Sequence, residues 1–357
     1  MNPTSLIPTP DTIPAPAWLF LALDIVTFLI HILIINVVVG GSLILFFSQL
    51  SKPNSPATEA MHDALTAKLP SLFALGITFG VAPLLFVQVI YGHLIYSSSV
   101  LMAVYWILII PFLILAYYGA YIHAKNYSLR RSLAITAIGV TSLLLLYISF
   151  IYVNNMTLMV QPEHWGDYFA NRNGTLLNLG DPTLAPRYLH FLTASIAVAA
   201  LFMAGVWHFR DVIATGENVK LYLRIFAVAT SAQVLVGIWF LLAIPSDFIK
   251  AFMGGNLFYS LVLLVAFLMT LSAIYTAFRG KFMVTAIHLI VIALLMVINR
   301  VNLRSLYLQD IFSMDDLKVA PQYSVMALFF AIFIIGLALV AYMLKLAQRS
   351  EERSLNS

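Results

Sequence analysis

The chain alternates between long apolar runs and short polar segments. Nine runs stand out, at about 19–48, 70–95, 99–123, 132–155, 188–209, 223–244, 257–278, 282–299 and 323–346. Each is near the roughly 20 residues that a helix needs to cross a bilayer core. Backbone groups in lipid must pair within their own segment, so runs of this length predict helices. The period-two alternation of barrel strands is not seen. The pattern predicts an all-α polytopic membrane bundle of about nine transmembrane helices, one membrane domain over 1–357. It divides into an N-terminal segment (1–18), four helices (19–155), a loop (156–187), five helices (188–346) and a tail (347–357). A second loop is expected over 300–322. Residues 1–16 are Pro- and Thr-rich without Lys or Arg. They lack the basic start of a signal peptide and are expected to stay on the mature chain.

Composition sharpens this reading. Apolar residues make up 62% of the chain and charged residues only 10%. Soluble domains carry about 25% charged residues, so an ordinary soluble enzyme and a disordered chain are both excluded. There is no Cys. That removes disulfides, thiolate metal sites and covalent haem attachment. Any metal must be held by His, Met or carboxylates, or arrive inside a non-covalent cofactor. The formal charge of +4 does not point to nucleic acid, because the basic residues collect in short segments at one face. Lys52, Lys68, Lys125, Arg130, Arg131, Arg210, Lys220, Arg224, Arg279, Lys281, Lys345, Arg349 and Arg353 fall on one side of the predicted spans. Only Arg172, Arg187, Lys250, Arg300, Arg304 and Lys318 fall on the other. Cytoplasmic segments carry the Lys/Arg excess, so the N-terminus is expected outside and the C-terminus inside. The expected location is the cytoplasmic membrane of a bacterium or archaeon.

Polar groups inside the spans are the functional candidates. Asp24 is the one carboxylate there; an interfacial carboxylate facing headgroups would look the same. The buried carboxylate chains of proton pumps and ion-coupled transporters are missing. His31, His93, His123, His190, His208 and His288 lie in or at the ends of spans. A neutral imidazole is costly in hydrocarbon unless its nitrogens are satisfied, and it is a good axial haem ligand. His123 and His208 are expected at the inner interface, in contact with headgroups. Arg187 precedes His190 by three residues, on the same helical face, and Pro186 marks the helix start. A haem on His190 would present its propionates to that guanidinium. Gln88, Asn154 and Asn155 can bond a quinone oxygen or simply a neighbouring helix. Asp247 and Glu163 join Asp24 as candidate proton acceptors.

These segments resemble subunit I of the cytochrome bd quinol oxidase family. FLIHILIINVVVGG (28–41) is similar to its first helix, which implies His31 as a haem ligand. FALGITFGVAPLLFVQVIYG (73–92) and IYVNNMTLMVQP (151–162) are similar to its second helix and the end of its fourth. APRYLHFLTASIAVAALFMAGV (185–206) is similar to the helix whose His ligates haem b near the quinol site, which implies His190. The likeness covers residues 20–245. The departures are large. GHLIYSSSVLMAVYWILIIPF (92–112) lacks the family's carboxylates. Phe258, Tyr259 and Leu261 stand where an Arg and a Met ligand are expected, and Leu294 stands for a Glu ligand. LRSLY (303–307) keeps only Arg304 of an Arg-bearing motif, and the long quinol loop shrinks to PSDFIKAFMGGN (245–256).

The resemblance implies a haem b electron-transfer subunit of a respiratory chain, with quinone/quinol as substrate. It implies a cofactor set of His31, His190, Arg187 and Arg304, with His93 or His288 as substitute axial ligands. Asp24 and Gln88 are the candidates for the quinol site. Partners expected are membrane lipid, a second membrane subunit and a periplasmic cytochrome c. Two other readings stay open: a diverged quinol:dioxygen oxidase, and a haem-free scaffold or transporter, since a fold alone does not fix a function.

Overall fold

The computed structural model describes residues 6–50, 56–209 and 215–355, with side chains described over 6–50, 58–209 and 216–346. Lys52 and Arg210, and the side chains of Arg349 and Arg353, lie outside these residues. Nine helices among the described residues are long and apolar enough to span a membrane. They are α1 (Ala17–Gln49), α2 (Thr58–Leu101), α3 (Ala103–Asn126), α4 (Arg131–Met159), α5 (Leu184–His208), α6 (Gly216–Ala243), α7 (Leu257–Phe278), α8 (Phe282–Leu308) and α9 (Tyr323–Leu346). No strand occurs among the described residues. Ile13 and Val319 form one isolated parallel bridge, which ties the N-terminal segment to the α8–α9 loop.

Two differences from the sequence expectation bear on the site; in addition α6 begins at Gly216 rather than near 223, and the last helix continues past 346 to Leu355. The α8 helix runs to Leu308 rather than ending near 299, so the expected loop 300–322 is shorter at its start. Arg300, Asn302 and Arg304 had broken the apolar run, but Asn302 and Arg304 are buried in the protein and Arg300 partly so. The α2 helix starts well before residue 70 for the same reason. Glu59, His62, Asp63 and Lys68 interrupt the hydropathy, yet they sit on a continuous helix. That helix passes through Pro70 and Pro83, and its non-helical backbone falls at Tyr91 (φ −119°, ψ 26°).

Helix α1 is the hub, packed on α2, α4, α5 and the end of α8. Close crossing depends on one small residue. A Cβ on Gly40 would stand 1.9 Å from the Ser195 carbonyl oxygen on α5. Beside it, Ser195 Oγ donates to Asn36 Oδ1 at 2.8 Å. Small residues permit such crossings in lipid, where van der Waals contact and interhelical hydrogen bonds drive association. One core joins α1, α2, α5 and α6 around Val38, Leu65, Phe73 and Phe226. A second, around Ile90, Leu94, Leu158 and Trp165, lies under the α4–α5 loop. Helix α9 stands off the bundle: only Met326 and Phe330 along it are even partly buried.

Gly40→Val should therefore push α1 from α5 and destabilise the bundle by at least the roughly 1–3 kcal/mol of ordinary overpacking. Gly166→Ala, which meets nothing within 4 Å, should be silent. Thermal unfolding of the detergent-solubilised protein measures both; equal midpoints would refute the crossing.

Candidate functional site

At the end of the bundle that carries the N-terminal segment, charged side chains lie inside the protein. Asp24 on α1 is 1% exposed and Arg304 on α8 is 5% exposed. Arg304 Nη1 stands 3.9 Å from Asp24 Oδ2. That is an ion pair without a hydrogen bond, since N–H···O bonds close near 2.9 Å. Asp24 Oδ1 and Arg304 Nη1 have no hydrogen-bond partner among the described residues. The Arg304 guanidinium lies over the Tyr91 ring at 4.7 Å, at the α2 kink. One turn earlier, Arg300 covers the Phe28 ring at 4.1 Å and reaches Met156 Sδ at 3.7 Å, while its Nη1 is unpartnered. These ring faces supply attraction to cations without hydrogen bonds.

Arg187 completes a trio of guanidiniums. It sits over the Phe240 ring of α6 at 5.0 Å and donates to Thr183 Oγ1 at 3.4 Å. Its Nε has no partner. Asp181 and Tyr307 face it electrostatically, as does Arg304. Asp181 is committed locally, accepting from Thr183 N at 2.8 Å and Thr183 Oγ1 at 3.0 Å. Near this trio, Asn299 has both side-chain ends buried and unpartnered, and Asn302 Nδ2 is unpartnered too. Native proteins leave few buried polar atoms unpaired, so this concentration marks a place suited to a polar ligand.

The histidines divide by their surroundings. His31 is half-buried, and its Nδ1 lies 3.0 Å from the Gly76 carbonyl oxygen. A carbonyl only accepts, so Nδ1 carries the proton and Nε2 of the neutral ring presents a lone pair. Backbone carbonyls orient metal-ligating imidazoles in this way. Gly80 makes room for the ring, because a Cβ there would fall 2.7 Å from His31 Cε1. His190 on α5 also points inward, toward α6. Its Nε2 lies 3.2 Å from Gln233 Nε2, and its Nδ1 has no partner. An amide N–H donating there occupies the Nε2 lone pair. Gly237 lies against the same ring.

The remaining candidates scatter. His93 packs on Phe312 at 4.7 Å between ring centres. His288 gives Nδ1 to its own Val284 carbonyl at 2.6 Å, far along α8 from the arginines. Gln88 is half-buried, one turn before Tyr91. No group of three His, Asp or Glu that could hold a bare metal ion occurs among the described residues. Asn155 is used between helices, bonding Ser99 Oγ at 3.2 Å and Ser98 Oγ at 3.4 Å. Asn154 Oδ1 accepts from Asn178 N at 3.2 Å and anchors the α4–α5 loop. Asp247 is exposed and bonded to Lys250 Nζ at 2.8 Å, which holds its carboxyl below the usual range. Glu163 is exposed on the short helix Pro162–Ala170 of the α4–α5 loop, which also carries the buried Trp165.

Near the opposite end, His123 is fully buried, not at a headgroup. It bonds Thr66 Oγ1 at 3.0 Å and the Ala134 carbonyl at 2.9 Å. His208 is exposed, with its ring against Phe282 at 4.7 Å. His62, in a stretch read from sequence as a connection, is fully buried and bonds Ser48 Oγ at 2.8 Å. Its i, i+4 spacing to Thr66 was the available signal, masked by the neighbouring charges.

The nine long apolar helices suit a multi-pass membrane protein, and the bundle holds a buried cluster of arginines. No family model, no curated protein and no solved structure matches the chain.

Removing Arg304 leaves Asp24 buried without its nearest counter-charge. Arg304→Met should cost about 3–5 kcal/mol, and the added change Asp24→Asn should recover much of it. Denaturation midpoints in detergent test this. A double variant as unstable as the single would refute the pairing.

Proposed function

We propose that this protein is a haem b-binding electron-transfer subunit linked to quinol oxidation, embedded in a bacterial or archaeal cytoplasmic membrane with its N-terminus outside. The observation that carries the reading is the pairing of a ligand-ready His31 with unpartnered guanidinium groups at one end of the bundle. The chain's residues fit the group. His31 offers Nε2 as an axial ligand, with Gly76 fixing the tautomer and Gly80 clearing the ring. Arg187, Arg300 and Arg304 offer N–H donors to carboxylates, matched to propionates in charge and planarity. His190 fits less directly, because Gln233 must turn away before its Nε2 is free. When bound, haem supplies one-electron redox chemistry. The protein's part is to hold the ligand, neutralise the propionates and exclude water. In this reading Gln88, one turn before Tyr91, serves a quinone oxygen, and Asp24, beside Arg304, serves a proton.

The lack of Asp and Glu in the apolar stretches of the later spans argues against dioxygen reduction, which needs protons delivered through the membrane. Electrons would leave on the N-terminal face, where the α4–α5 and α8–α9 loops can seat a periplasmic cytochrome. The exposed α9 supports a second membrane subunit as partner. A haem-free scaffold is the competing class, but it leaves the unpartnered arginines without a role.

Purified protein should give a haem b reduced-minus-oxidised spectrum, reduction by a quinol analogue and little oxygen uptake. His31→Ala and His190→Ala should each remove a low-spin haem signal. Arg187→Leu should lower a haem potential, because a positive charge beside the electron acceptor is lost. Unchanged haem content in His31→Ala would remove the central ligand. A spectrum without haem would favour the scaffold, and rapid quinol-dependent oxygen uptake would favour the oxidase.

A further inference from the structure

The charges in the arginine cluster do not balance. Arg187, Arg300 and Arg304 face Asp24 and Asp181, which leaves an excess of one positive charge inside an apolar bundle. Tyr91 on α2, Tyr307 on α8 and His31 on α1 are the other titratable groups facing the arginines, and Glu163 faces Tyr307. One incoming carboxylate cancels that excess. A second takes the cluster to net negative unless a proton arrives. Asp24 is the group placed to take it. Its Oδ1 is unpartnered, it is 1% exposed, and its nearest cation, Arg304, stands 3.9 Å away without a hydrogen bond. Asp181 is fixed by two hydrogen bonds from Thr183 and has less to gain.

We propose that the cluster is a proton-linked dicarboxylate site: a ligand bearing two carboxylates binds to the arginines, and Asp24 takes up one proton as it does. The incoming carboxylate replaces Asp24 at Arg304. Asp24 changes from carboxylate to carboxylic acid, accepting its proton from solvent. Cluster and ligand together end with no net charge, which is the condition for charge buried in low dielectric. The idea rests on the haem reading, since haem brings two propionates. It adds a coupling between ligand and proton that ligation alone does not require. Linkage makes the coupling reciprocal, so raising the pH should weaken the dicarboxylate's binding.

The test uses the full chain in detergent, prepared from haem-limited cells. The probes are ferrous protoporphyrin IX, whose metal and ring charges cancel so that the two carboxylates are its net charge, and its ferrous dimethyl ester, which lacks both carboxylates. Proton uptake is read from binding heats in buffers of different ionisation enthalpy. The expected result is about one proton per porphyrin in the wild type, none for the ester, and none for Asp24→Asn. The wild-type comparison of acid and ester decides the matter even if Asp24→Asn fails to fold. Binding without proton uptake would overturn the proposal and leave the haem reading standing. Equal uptake in Asp24→Asn would also overturn it by moving the proton elsewhere. Failure of both porphyrins to bind would overturn the haem reading and the proposal together.

Discussion

Three guanidinium groups inside an apolar helical bundle set the terms for the rest of this structure. A charge moved out of water is stable only when other charges, dipoles or ring faces replace the solvent. Each arginine here has a ring beneath it: Phe240 under Arg187, Phe28 under Arg300 and Tyr91 under Arg304. The rings come from three helices, α6, α1 and α2. Holding the cations therefore fixes where these helices meet α5 and α8. The α2 kink falls at Tyr91, where the ring must face Arg304. The cluster is both a packing constraint and the place where polar binding capacity is left over.

Most of the unpartnered buried polar atoms lie at this end of the bundle, though Gln49 Nε2 and His62 Nδ1 are unpartnered at the other. Around His123, both ring nitrogens are used, by Thr66 and by the Ala134 carbonyl. Such a closed network ties helices together and offers little to a ligand. Around Arg300, Asn299 and Asn302, donors and acceptors are buried yet unused. An unmade hydrogen bond on a buried group costs about 1–3 kcal/mol. Several in one place are easiest to understand as groups meant for something that enters. The His31 geometry agrees, because a fixed Nδ1 proton leaves Nε2 free without further rearrangement. His190 does not share that simplicity, since Gln233 occupies its Nε2. The two histidines are thus not equivalent, although the sequence presents both in similar apolar settings.

Much of the fold was legible because lipid makes hydropathy a direct record of helix position. All nine runs correspond to helices, and the α7 range coincides with that read from the sequence, while the last helix starts where expected and continues to Leu355. The errors share one cause. Window hydropathy treats a charged residue as a signal for water, but a helix can carry charge on the face that meets protein. Arg300 and Arg304 were read as loop, and so were His62 and Asp63, for this reason. Asp24 and Arg187 were recognisable as candidates because they stand in or beside an apolar run. Their connection through Arg304 was not, since Asp24 and Arg304 lie 280 positions apart in sequence and meet only through the packing of α1 on α8. Gly80 and Gln233 were missed because neither residue type announces a role; only their distance to an imidazole does.

Resemblance to a quinol oxidase and the physical reading of the site point to the same end of the molecule by different routes. The resemblance rests on ordered short motifs over residues 20–245. The arginine argument rests mainly on α8, outside that range, and would stand without it. If the motifs were coincidental, the bundle would still hold an excess buried cation beside an unpaired carboxylate oxygen. A transporter could use such a site for an anion, but it would need a route to each face of the membrane. Most of the free donors gather toward one end, while at the opposite end His123 has both ring nitrogens used and His62 one. That asymmetry suits a resident ligand, reached from one face and held there, better than a passing one. It is the physical reason that the proposal is a bound cofactor and not a carried anion.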